Sequence, residues 1–333
     1  MPAYKREDFA SGQEVRWCPG CGDYAVLAAV QKAMPEICSE LGLTKERVVF
    51  ISGIGCSSRF PYYMSCYGFH TVHGRAPAIA TGIKVANPDL LVWVVTGDGD
   101  SLSIGGNHTL HCLRRNVGVK ILMFNNNIYG LTKGQYSPTS PKGKVTKSSP
   151  LGSVDQPVNP VAFALGCGAG LVLRAVDRDM AHLVEMLKAA ARHPGAVYVE
   201  ILQNCVVYND GAFRFVMDPA QKPVHALYLK PGGPMVFGPE GRFALVWKEG
   251  RLSKVEKASV PETSVVRHDP ANRTQAFALS QLWHPECVPL GVFHRAETPV
   301  YESEVLRLES EASAKSPADL KALFRSGLSW RVQ

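Results

Sequence analysis

The stretch LLVWVVTGDGD at residues 90–100 decides the fold of this 333-residue chain. Apolar and β-branched residues run without interruption and then give way to glycine and aspartate. Such a short apolar run, ended by turn residues, is typical of a strand that is buried on both faces of a parallel sheet. The glycines and carboxylates therefore mark the point where the chain leaves a buried strand.

Similar apolar runs lie on either side of this strand and alternate with helical patterns. Further strands are predicted at residues 47–52, 120–125, 171–176 and 196–202, and helices at 23–37, 76–86, 103–116, 160–167 and 178–192. Pro35 is expected to mark the end of the first helix, because proline breaks the helical hydrogen-bond pattern. The alternation predicts an α/β fold, a mostly parallel sheet with helices on both faces. Ligands of such sheets bind beyond the carboxyl ends of the strands.

The alternating pattern weakens after residue 210, where Pro-Gly breaks and a short hairpin-like stretch follow. We therefore divide the chain into a cofactor-binding domain, residues 1–215, and a C-terminal extension, residues 216–333. The extension is expected to be an interaction arm, with a small structural subdomain as the alternative. A long loop at residues 129–157 is rich in Gly, Ser, Pro and Lys, and loops of that length are commonly functional or mobile.

Composition excludes several classes of protein. Hydrophobic residues make up 46% of the chain, which is ample for a core, and no apolar run is long enough to cross a membrane. The net charge of +7 lies in no block of consecutive Lys and Arg with interleaved aromatic residues, so nucleic-acid binding is not expected. The N-terminus has no apolar leader and the 9 cysteines are an odd number, so we expect a cytoplasmic protein without a disulfide framework.

A magnesium site is predicted where two of the strands end. Asp98 lies in the Gly-Asp-Gly turn after one strand, and Asn126 follows the next. The small, hard Mg²⁺ ion takes oxygen ligands, phosphate oxygens included. Gly97 and Gly99 would let a diphosphate approach the backbone closely. A Gly-Asp-Gly turn alone is common, but with the Asn-Asn pair it matches the thiamine diphosphate fingerprint; two incidental turns are the alternative.

Four cysteines form a second candidate site. Cys18 and Cys21 stand in a Cys-Pro-Gly-Cys turn, whereas Cys56 and Cys205 lie in loops after the first and the last predicted strand. The turn precedes the first strand, and a thioredoxin-like redox pair would follow one. Four thiolates from separate segments are able to hold an iron–sulfur cluster, and zinc is the competing metal.

Taken together, these motifs resemble the beta subunits of 2-oxoacid:ferredoxin oxidoreductases. The resemblance covers about residues 12–215 and rests on the segments WCPGCG, GIGCSSR, HGRAPAIATGIKVANP, GDGDSLSIGGNH, RRN, FNNNIYGLTKGQYSPT and NCVVYND. It implies a thiamine-diphosphate-binding fold with three cofactors: thiamine diphosphate, Mg²⁺ and one 4Fe–4S cluster. The tail after Asp210 is longer than in the shortest family members, and nothing is carried over to it.

The resemblance also assigns residues. The cluster would be bound by Cys18, Cys21, Cys56 and Cys205. Mg²⁺ would be bound by Asp98, Asn126 and the carbonyl group of Ile128. Thiamine diphosphate would be contacted by Gly55, Cys56, Ser57, His73, Gly99, Asp100, Tyr129 and Gly130. The candidate catalytic side chains are His73 and Lys133; the family places the lysine near the 2-oxoacid or coenzyme A, and a solvated loop lysine is the alternative.

The implied reaction is the oxidative decarboxylation of a 2-oxoacid with coenzyme A, which yields an acyl-CoA, CO₂ and reduced ferredoxin. 2-Oxoglutarate is the first choice of substrate and pyruvate the second. Thiamine would act as the electron sink, and the cluster would pass the electrons on. The family's alpha subunit supplies a glutamate that the coenzyme needs, so the chain alone is expected to be inactive. Two alternatives are a cluster-free thiamine decarboxylase or synthase and a non-enzymatic zinc-binding module.

Overall fold

The chain folds around one eight-stranded sheet in the computed structural model, which describes residues 3–315, 319–327, 330 and 332. The strands are β1 (Val48–Ser52), β2 (Tyr67–His70), β3 (Leu91–Gly97), β4 (Val119–Asn125), β5 (Leu171–Val176), β6 (Val197–Leu202), β7 (Ala226–Leu229), β8 (Val236–Phe237), β9 (Phe243–Lys248), β10 (Arg251–Glu256) and β11 (Val288–Arg295). The helices are α1 (Asp23–Leu41), α2 (Ala76–Ala86), α3 (Gly106–Arg114), α4 (Pro160–Gly166), α5 (Met180–Arg192), α6 (Arg214–Met217), α7 (Lys222–His225), α8 (Arg273–Ser280), α9 (Tyr301–Lys315) and α10 (Leu320–Phe324). Within the described part of the chain, no helix has the length and apolarity that a membrane crossing requires.

The strand order in the large sheet is β2-β1-β3-β4-β6-β5-β11-β7. Neighbours pair in parallel from β2 to β5, β11 runs antiparallel to β5, and β7 is parallel to β11. The carboxyl ends of β1, β3, β4, β5 and β6 therefore lie at one edge of the sheet. The predicted mostly parallel α/β sheet is confirmed.

Alternate residues of each central strand pack on opposite faces, as the period of a strand requires. In β1, Val48 and Phe50 join one apolar cluster, and Val49 and Ile51 join the other. Helices α1 and α5 complete the first cluster, and α2, α3, α4 and α8 complete the second. Helices thus cover both faces, which is why these strands are almost continuously apolar.

Helix α1 does not end at Pro35, contrary to the prediction. It continues to Leu41 and is capped by Gly42, whose φ of 67° is left-handed. Ile37 and Cys38, just beyond the proline, are 0% and 1% exposed. Burying an isoleucine contributes about 1.5–3 kcal/mol, which is comparable to the cost of about 3 kcal/mol for proline inside a helix. Packing of the last turns therefore keeps the helix intact.

Two further differences from the prediction lie near the ligand-binding edge. Strand β2 carries no sequence signal, because all of its residues are exposed at the edge of the sheet. Helix α3 begins at Gly106, later than the start predicted at residue 103, because Asp100–Ile104 forms a π-helical turn. Such turns are rare and occur frequently at functional sites.

The C-terminal segment contributes to the main sheet. Strands β11 and β7 extend it beyond β5, while β8, β9 and β10 form a separate three-stranded sheet. Helix α9 is anchored by the buried Glu302 carboxylate, whose oxygens accept the Gly118 N–H at 3.2 and 3.1 Å. A boundary at residues 215 and 216 therefore does not coincide with an edge of the sheet. The role of residues 216–333 as an interaction arm stays a prediction.

A buried lysine ties the start of β4 to the loop before β6. Lys120 is 2% exposed, and its Nζ donates to the carbonyl oxygens of His193 at 2.5 Å and Gly195 at 3.0 Å. Burial, with the nearby Lys84 ammonium as the second cause, lowers the pKa of Lys120 to about 7. In the unfolded chain a lysine keeps its proton up to a pKa of about 10.4. Between these values the unfolded state binds more protons, so the free energy of unfolding rises with pH.

We expect Lys120→Met to remove this part of the pH dependence. From about pH 7 to about pH 10, the free energy of unfolding should rise more steeply for the unaltered chain than for the variant, by up to roughly 1.4 kcal/mol per pH unit. Urea titrations at several pH values measure both slopes. Equal slopes would mean that Lys120 keeps an ordinary pKa in the folded chain.

Candidate functional site

Loops that follow β1, β2, β3 and β4 enclose a cavity of about 100 Å³ at the carboxyl edge of the sheet. We call it the cofactor cavity. Its lining includes Gly55, Cys56, Ser57, His73, Gly97, Asp98, Gly99, Asp100, Asn126, Ile128, Tyr129 and Gly130. The structure therefore brings together all the residues that the sequence assigns to thiamine diphosphate and Mg²⁺.

The turn after β3 needs glycine because an aromatic ring lies against it. A Cβ atom on Gly99 would fall 2.0 Å from Cε1 of Tyr129. The Tyr129 hydroxyl donates to the Gly99 carbonyl oxygen at 3.3 Å, which fixes the ring over the turn. Glycine at position 99 is thus required by the close packing of the Tyr129 ring, which itself lines the cofactor cavity.

Asp100 is a buried anchor for the loops around the cofactor cavity. Its Oδ1 accepts from His73 Nδ1 at 2.5 Å and from the backbone N–H groups of Gly74 at 2.7 Å and Ile54 at 3.0 Å. Its Oδ2 accepts from the Thr96 hydroxyl at 2.7 Å. Because Asp100 engages Nδ1 of His73, Nε2 is the ring nitrogen that remains for a ligand. Asp100 therefore orients His73 in addition to lining the cavity.

Asp98 is held from behind by two hydroxyl groups. The hydroxyls of Ser137 and Thr139 both donate to Oδ2 of Asp98, each at 2.5 Å. Asp98 is 3% exposed, and burial raises its pKa to about 6, although the two hydroxyls act in the opposite direction. Its other oxygen, Oδ1, has no side-chain donor among the described residues. That oxygen is the one available to a cation in the cofactor cavity.

A buried polar chain leads from Asp98 away from the cavity through Thr139, Asn125, Glu200 and Arg174. Thr139 Oγ1 lies 2.9 Å from Asn125 Oδ1, and Asn125 Nδ2 donates to Glu200 Oε1 at 2.7 Å. Glu200 Oε2 accepts from Arg174 Nε at 2.6 Å, and both residues are 1% exposed. Side chains of β4, β5 and β6 thus share one continuous polar layer below the cofactor cavity.

Aromatic rings of the C-terminal segment cover the far end of this buried polar chain. Cζ of Arg174 lies 5.0 Å from the ring centroid of Trp283 and 5.0 Å from that of Phe293. A guanidinium out of water needs its carboxylate partner, since breaking a buried ion pair costs about 3–5 kcal/mol. Stacked rings add a favourable interaction with the cation. Residues after 216 therefore pack against the buried polar chain that connects Arg174 with Asp98.

A second cavity, of about 270 Å³, adjoins the first, and we call it the cluster cavity. Its lining includes the four cysteines predicted to bind one cluster: Cys18, Cys21, Cys56 and Cys205. All four are free thiols. Among the described residues, no three His, Cys, Asp or Glu side chains come close enough to bind a single metal ion. The sulfurs thus surround a space and do not meet at one point.

Burial favours the protonated thiols in the cluster cavity. It raises the pKa of Cys21 far above its usual value and that of Cys56 to about 12, with the Asp23 carboxylate as the second cause. Asp23 is 2% exposed, and burial together with Asp177 raises its pKa to about 7. Gln203 Nε2 donates to Cys21 Sγ at 3.3 Å. A metal group bound here must displace the thiol protons.

The two cavities share a wall formed by Cys56, Asn126, Gly130 and Leu131. Gly130 keeps this wall thin, because a Cβ atom there would already contact Cys56 Sγ at 3.5 Å and Cys205 Sγ at 3.6 Å. Groups bound in the two cavities would therefore be close neighbours.

Lys133 lines the cluster cavity and is not part of the lining of the cofactor cavity. It is exposed, and its φ of 74° is uncommon for a residue with a side chain. A tight loop holds this conformation, because Gly134 N–H donates to the Tyr129 carbonyl oxygen and Tyr129 N–H donates to that of Gln135, each at 2.9 Å. The role of Lys133 beside the 2-oxoacid or coenzyme A stays a prediction.

Sequence analysis missed Ser137, Thr139 and Asp23 as parts of the site. A signal existed for the hydroxyls, since the long loop carries the run Ser-Pro-Thr-Ser and buried carboxylates need hydrogen-bond donors. Asp23 looks like an ordinary acidic residue in the first turn of a helix. No local signal links Glu200 with Arg174, because their contact depends on how β5 and β6 pair.

Comparison with known proteins shows what this chain is similar to. Residues 53–201 match the family described as thiamine pyrophosphate enzyme, C-terminal TPP binding domain. The chain is 50% identical over 336 residues to the 2-oxoglutarate oxidoreductase subunit KorB of Mycobacterium tuberculosis, which covers 98% of this chain and 88% of that one. It is 50% identical over 194 residues to subunit beta of 2-oxoacid:ferredoxin oxidoreductase 1 from Aeropyrum pernix, which covers 58% of this chain and 60% of that one.

A solved structure shares the fold over almost the entire chain. It is a 2-oxoglutarate:ferredoxin oxidoreductase from Magnetococcus marinus with 2-oxoglutarate, coenzyme A and succinyl-CoA bound. The TM-score is 0.78 at 31% sequence identity, over 99% of this chain and 98% of that one. This similarity extends into the C-terminal segment, strands β7 and β11 included.

We expect Thr139→Val to weaken the binding of Mg²⁺ together with thiamine diphosphate by about 10- to 100-fold. Loss of a group that orients a metal ligand typically has that effect, and valine leaves Oδ2 of Asp98 with the Ser137 hydroxyl alone. Calorimetric titration of the protein with both ligands measures the change.

Thr146→Val is the matched control, because it makes the same change in the same loop. The Thr146 hydroxyl lies 3.2 Å from the Ser148 hydroxyl and does not contact Asp98. Equal losses in both variants would point to damage to the loop as a whole. Unchanged binding in Thr139→Val would mean that its hydroxyl does not orient Asp98.

Proposed function

We propose a function from one premise: the chain belongs to the family of 2-oxoacid:ferredoxin oxidoreductase beta subunits, as its similarity to the M. tuberculosis subunit shows. It is thus a subunit of a thiamine-diphosphate-dependent oxidoreductase that acts with a partner subunit. We assign it the oxidative decarboxylation of 2-oxoglutarate with coenzyme A, with electrons passing through a 4Fe–4S cluster to ferredoxin. The observation that carries this proposal is the wall shared by the cofactor cavity and the cluster cavity.

The names of the relatives support the choice of substrate and acceptor. The M. tuberculosis subunit is named for 2-oxoglutarate, and the M. marinus structure contains 2-oxoglutarate, coenzyme A and succinyl-CoA. Ferredoxin appears in the names of the A. pernix and M. marinus proteins. In the proposed reaction the C1–C2 bond of 2-oxoglutarate breaks and CO₂ leaves. The thiol sulfur of coenzyme A bonds to C2, and an electron pair and a proton are released.

Mg²⁺ and the diphosphate of the coenzyme fit the cofactor cavity. Asp98, Asn126 and the Ile128 carbonyl offer the hard oxygen ligands that Mg²⁺ takes. Both hydroxyls behind Asp98 donate to the same oxygen, which leaves the other for the ion. When bound, thiamine diphosphate supplies the electron sink that decarboxylation of a 2-oxoacid needs. The chain fixes the ligand oxygens and presents Nε2 of His73 to the cavity.

A 4Fe–4S cluster fits the cluster cavity. Four thiols surround a space of about 270 Å³, and a cluster distributes its thiolates over several metal atoms. A single zinc ion would draw all four sulfurs to about 2.3 Å from one point. When bound, the cluster supplies a one-electron acceptor beside the coenzyme. Asp23 and Gln203 lie at Cys21 and would tune its potential through charge and hydrogen bonding.

The proposal extends to partners and location. Residues 1–215 contain every residue that is proposed to bind a metal or the coenzyme. For residues 216–333 we propose an interaction role in addition to their contacts with Arg174. An alpha subunit is proposed to complete the coenzyme site. We place the enzyme in the cytoplasm, because thiolates that hold a cluster persist in a reducing compartment.

We expect the chain purified without air to be brown, with broad absorbance near ~400 nm that bleaches on reduction. Cys205→Ser should lose this absorbance and most of the bound iron, because it removes one of four thiolates. Cys167→Ser is the control, since Cys167 lies outside the cluster cavity, and it should keep both. A colourless protein that contains zinc would contradict the cluster.

We expect the assembled alpha–beta enzyme to reduce a viologen dye with 2-oxoglutarate and coenzyme A. The value of kcat/KM for 2-oxoglutarate should exceed that for pyruvate by roughly 100-fold or more, because a site built for the second carboxylate leaves polar groups unpaired with the smaller acid. The isolated chain should show no turnover. Equal use of both acids would contradict the substrate, and turnover by the chain alone would contradict the need for a partner.

A further inference from the structure

A third cavity, of about 270 Å³, lies between the long loop after β4 and the C-terminal segment. Among the described residues, none that lines it also lines the cofactor cavity or the cluster cavity. Its floor is formed by buried side chains of β4, β5 and β6, namely Asn125, Arg174 and Glu200. Exposed residues mark its open side: Pro141, Pro157 and Gln281. The proposed reaction leaves this space without a role.

Two side chains in the third cavity keep donors that no described residue accepts from. A guanidinium has five N–H groups. In Arg174, Nε donates to Glu200 Oε2 at 2.6 Å and Nη1 donates to the Pro289 carbonyl oxygen at 3.4 Å. Within the described part of the chain, Nη2 of Arg174 and the side-chain amide of Asn127 form no hydrogen bond, although the two residues are only 1% and 9% exposed. Polar groups buried so deeply are normally paired with protein, water or a ligand.

The free groups and the walls of the third cavity define the chemistry of a ligand. A carboxylate accepts from a guanidinium and from an amide N–H, and hydrogen bonds to charged groups are the strong ones. The opposite wall is apolar, because it is formed by the proline-rich end of the loop with Val158 and by the Trp283 ring. Pockets for drug-sized ligands measure about 300–1,000 Å³. A cavity of about 270 Å³ therefore suits a smaller molecule.

We propose that the third cavity binds a small organic acid, with its carboxylate at Arg174 and Asn127 and its apolar body against the proline-rich wall. The acid binds without reacting, so no bond forms or breaks. Arg174 keeps its pair with Glu200, because the two groups use different N–H donors. This binding site does not depend on the proposed function.

Occupation of the third cavity is transmitted to the magnesium ligands. Asn126 lines the cofactor cavity, whereas its two neighbours, Asn125 and Asn127, line the third cavity. Thr139 lines the third cavity as well, and its hydroxyl donates to Oδ2 of Asp98. A bound acid thus holds both segments that carry or orient the proposed ligands of Mg²⁺. This coupling, unlike the site itself, rests on the proposed function.

Calorimetric titration of the assembled alpha–beta enzyme with isovalerate and with benzoate tests the site. Neither acid has a 2-oxo group, so neither is decarboxylated in the cofactor cavity. We expect at least one of them to bind. The matching alcohol, 3-methylbutanol or benzyl alcohol, should bind about tenfold more weakly or not at all, because it lacks the carboxylate.

Two variants locate the bound acid. Asn127→Asp replaces the amide donor by a like charge and should weaken binding of the acid about tenfold or more, whereas Asn87→Asp makes the same change at an exposed position outside the cavity and should not. Val158→Trp should abolish binding, because the indole fills the cavity. Val154→Trp is its control, since Val154 lies in the same loop, is 79% exposed and does not line the cavity.

The coupling is measured by titration with Mg²⁺ and thiamine diphosphate in the presence and absence of the acid. We expect the acid to tighten the binding of the coenzyme about fivefold or more. Because coupling between two binding sites is reciprocal, the coenzyme should tighten the binding of the acid by the same factor. Val158→Trp should bind the coenzyme with an affinity that the acid no longer changes.

Absence of binding by both acids would overturn the proposal, and so would binding that Asn127→Asp leaves unchanged. If Val158→Trp does not fold, Asn127→Asp decides alone. An acid that binds without any effect on the affinity for the coenzyme would overturn the coupling. Failure of the proposed function would look different: the unaltered enzyme would bind no thiamine diphosphate with or without the acid, while the acid would still bind.

Discussion

The carboxylate of Asp98 must be held in place while buried at the end of β3, and much of the structure follows from that constraint. A carboxylate that is 3% exposed is stable only with hydrogen-bond donors or a counterion nearby. Its donors come from the long loop after β4, which has to return to the sheet edge to deliver Ser137 and Thr139. Thr139 Oγ1 also lies 2.9 Å from Asn125 Oδ1, so the loop packs directly against the end of β4. The position of one carboxylate oxygen is thus set by the protein before a ligand binds.

Features that depend on local pattern were predictable from the sequence. The strand Leu171–Val176 and the helix Ala76–Ala86 are observed with the predicted bounds, because apolar runs between turn residues report burial directly. Parallel strands end on the same side of a sheet. For that reason, the order of strands along the chain was enough to assign distant residues such as Asp98, Asn126 and Cys205 to one edge, and all three lie there.

Features that depend on contacts between distant segments were not predictable. Pro35 predicts the end of a helix, whereas α1 continues to Leu41 because Ile37 and Cys38 are buried. Strand β2 forms through pairing with β1; it has only four residues, all of them exposed, and so lacks the continuous apolar run of a buried strand. The pair of Arg174 and Glu200 requires the register of β5 on β6, which no short stretch of sequence encodes. Local propensity sets the elements, whereas register and packing set the polar contacts beneath the site.

The two aromatic rings around Arg174 make the chain less modular than its sequence suggests. Trp283 and Phe293 lie in the C-terminal segment, yet they shield a guanidinium that belongs to the core of the parallel sheet. A chimaera that exchanges everything beyond residue 216 would inherit the ion pair of Arg174 and Glu200 without its shield. Water would then reach a charged layer that only Thr139 and Asn125 separate from Asp98. An exchange of the C-terminal segment of this chain would therefore have to keep Trp283 and Phe293 if Arg174 is to stay covered.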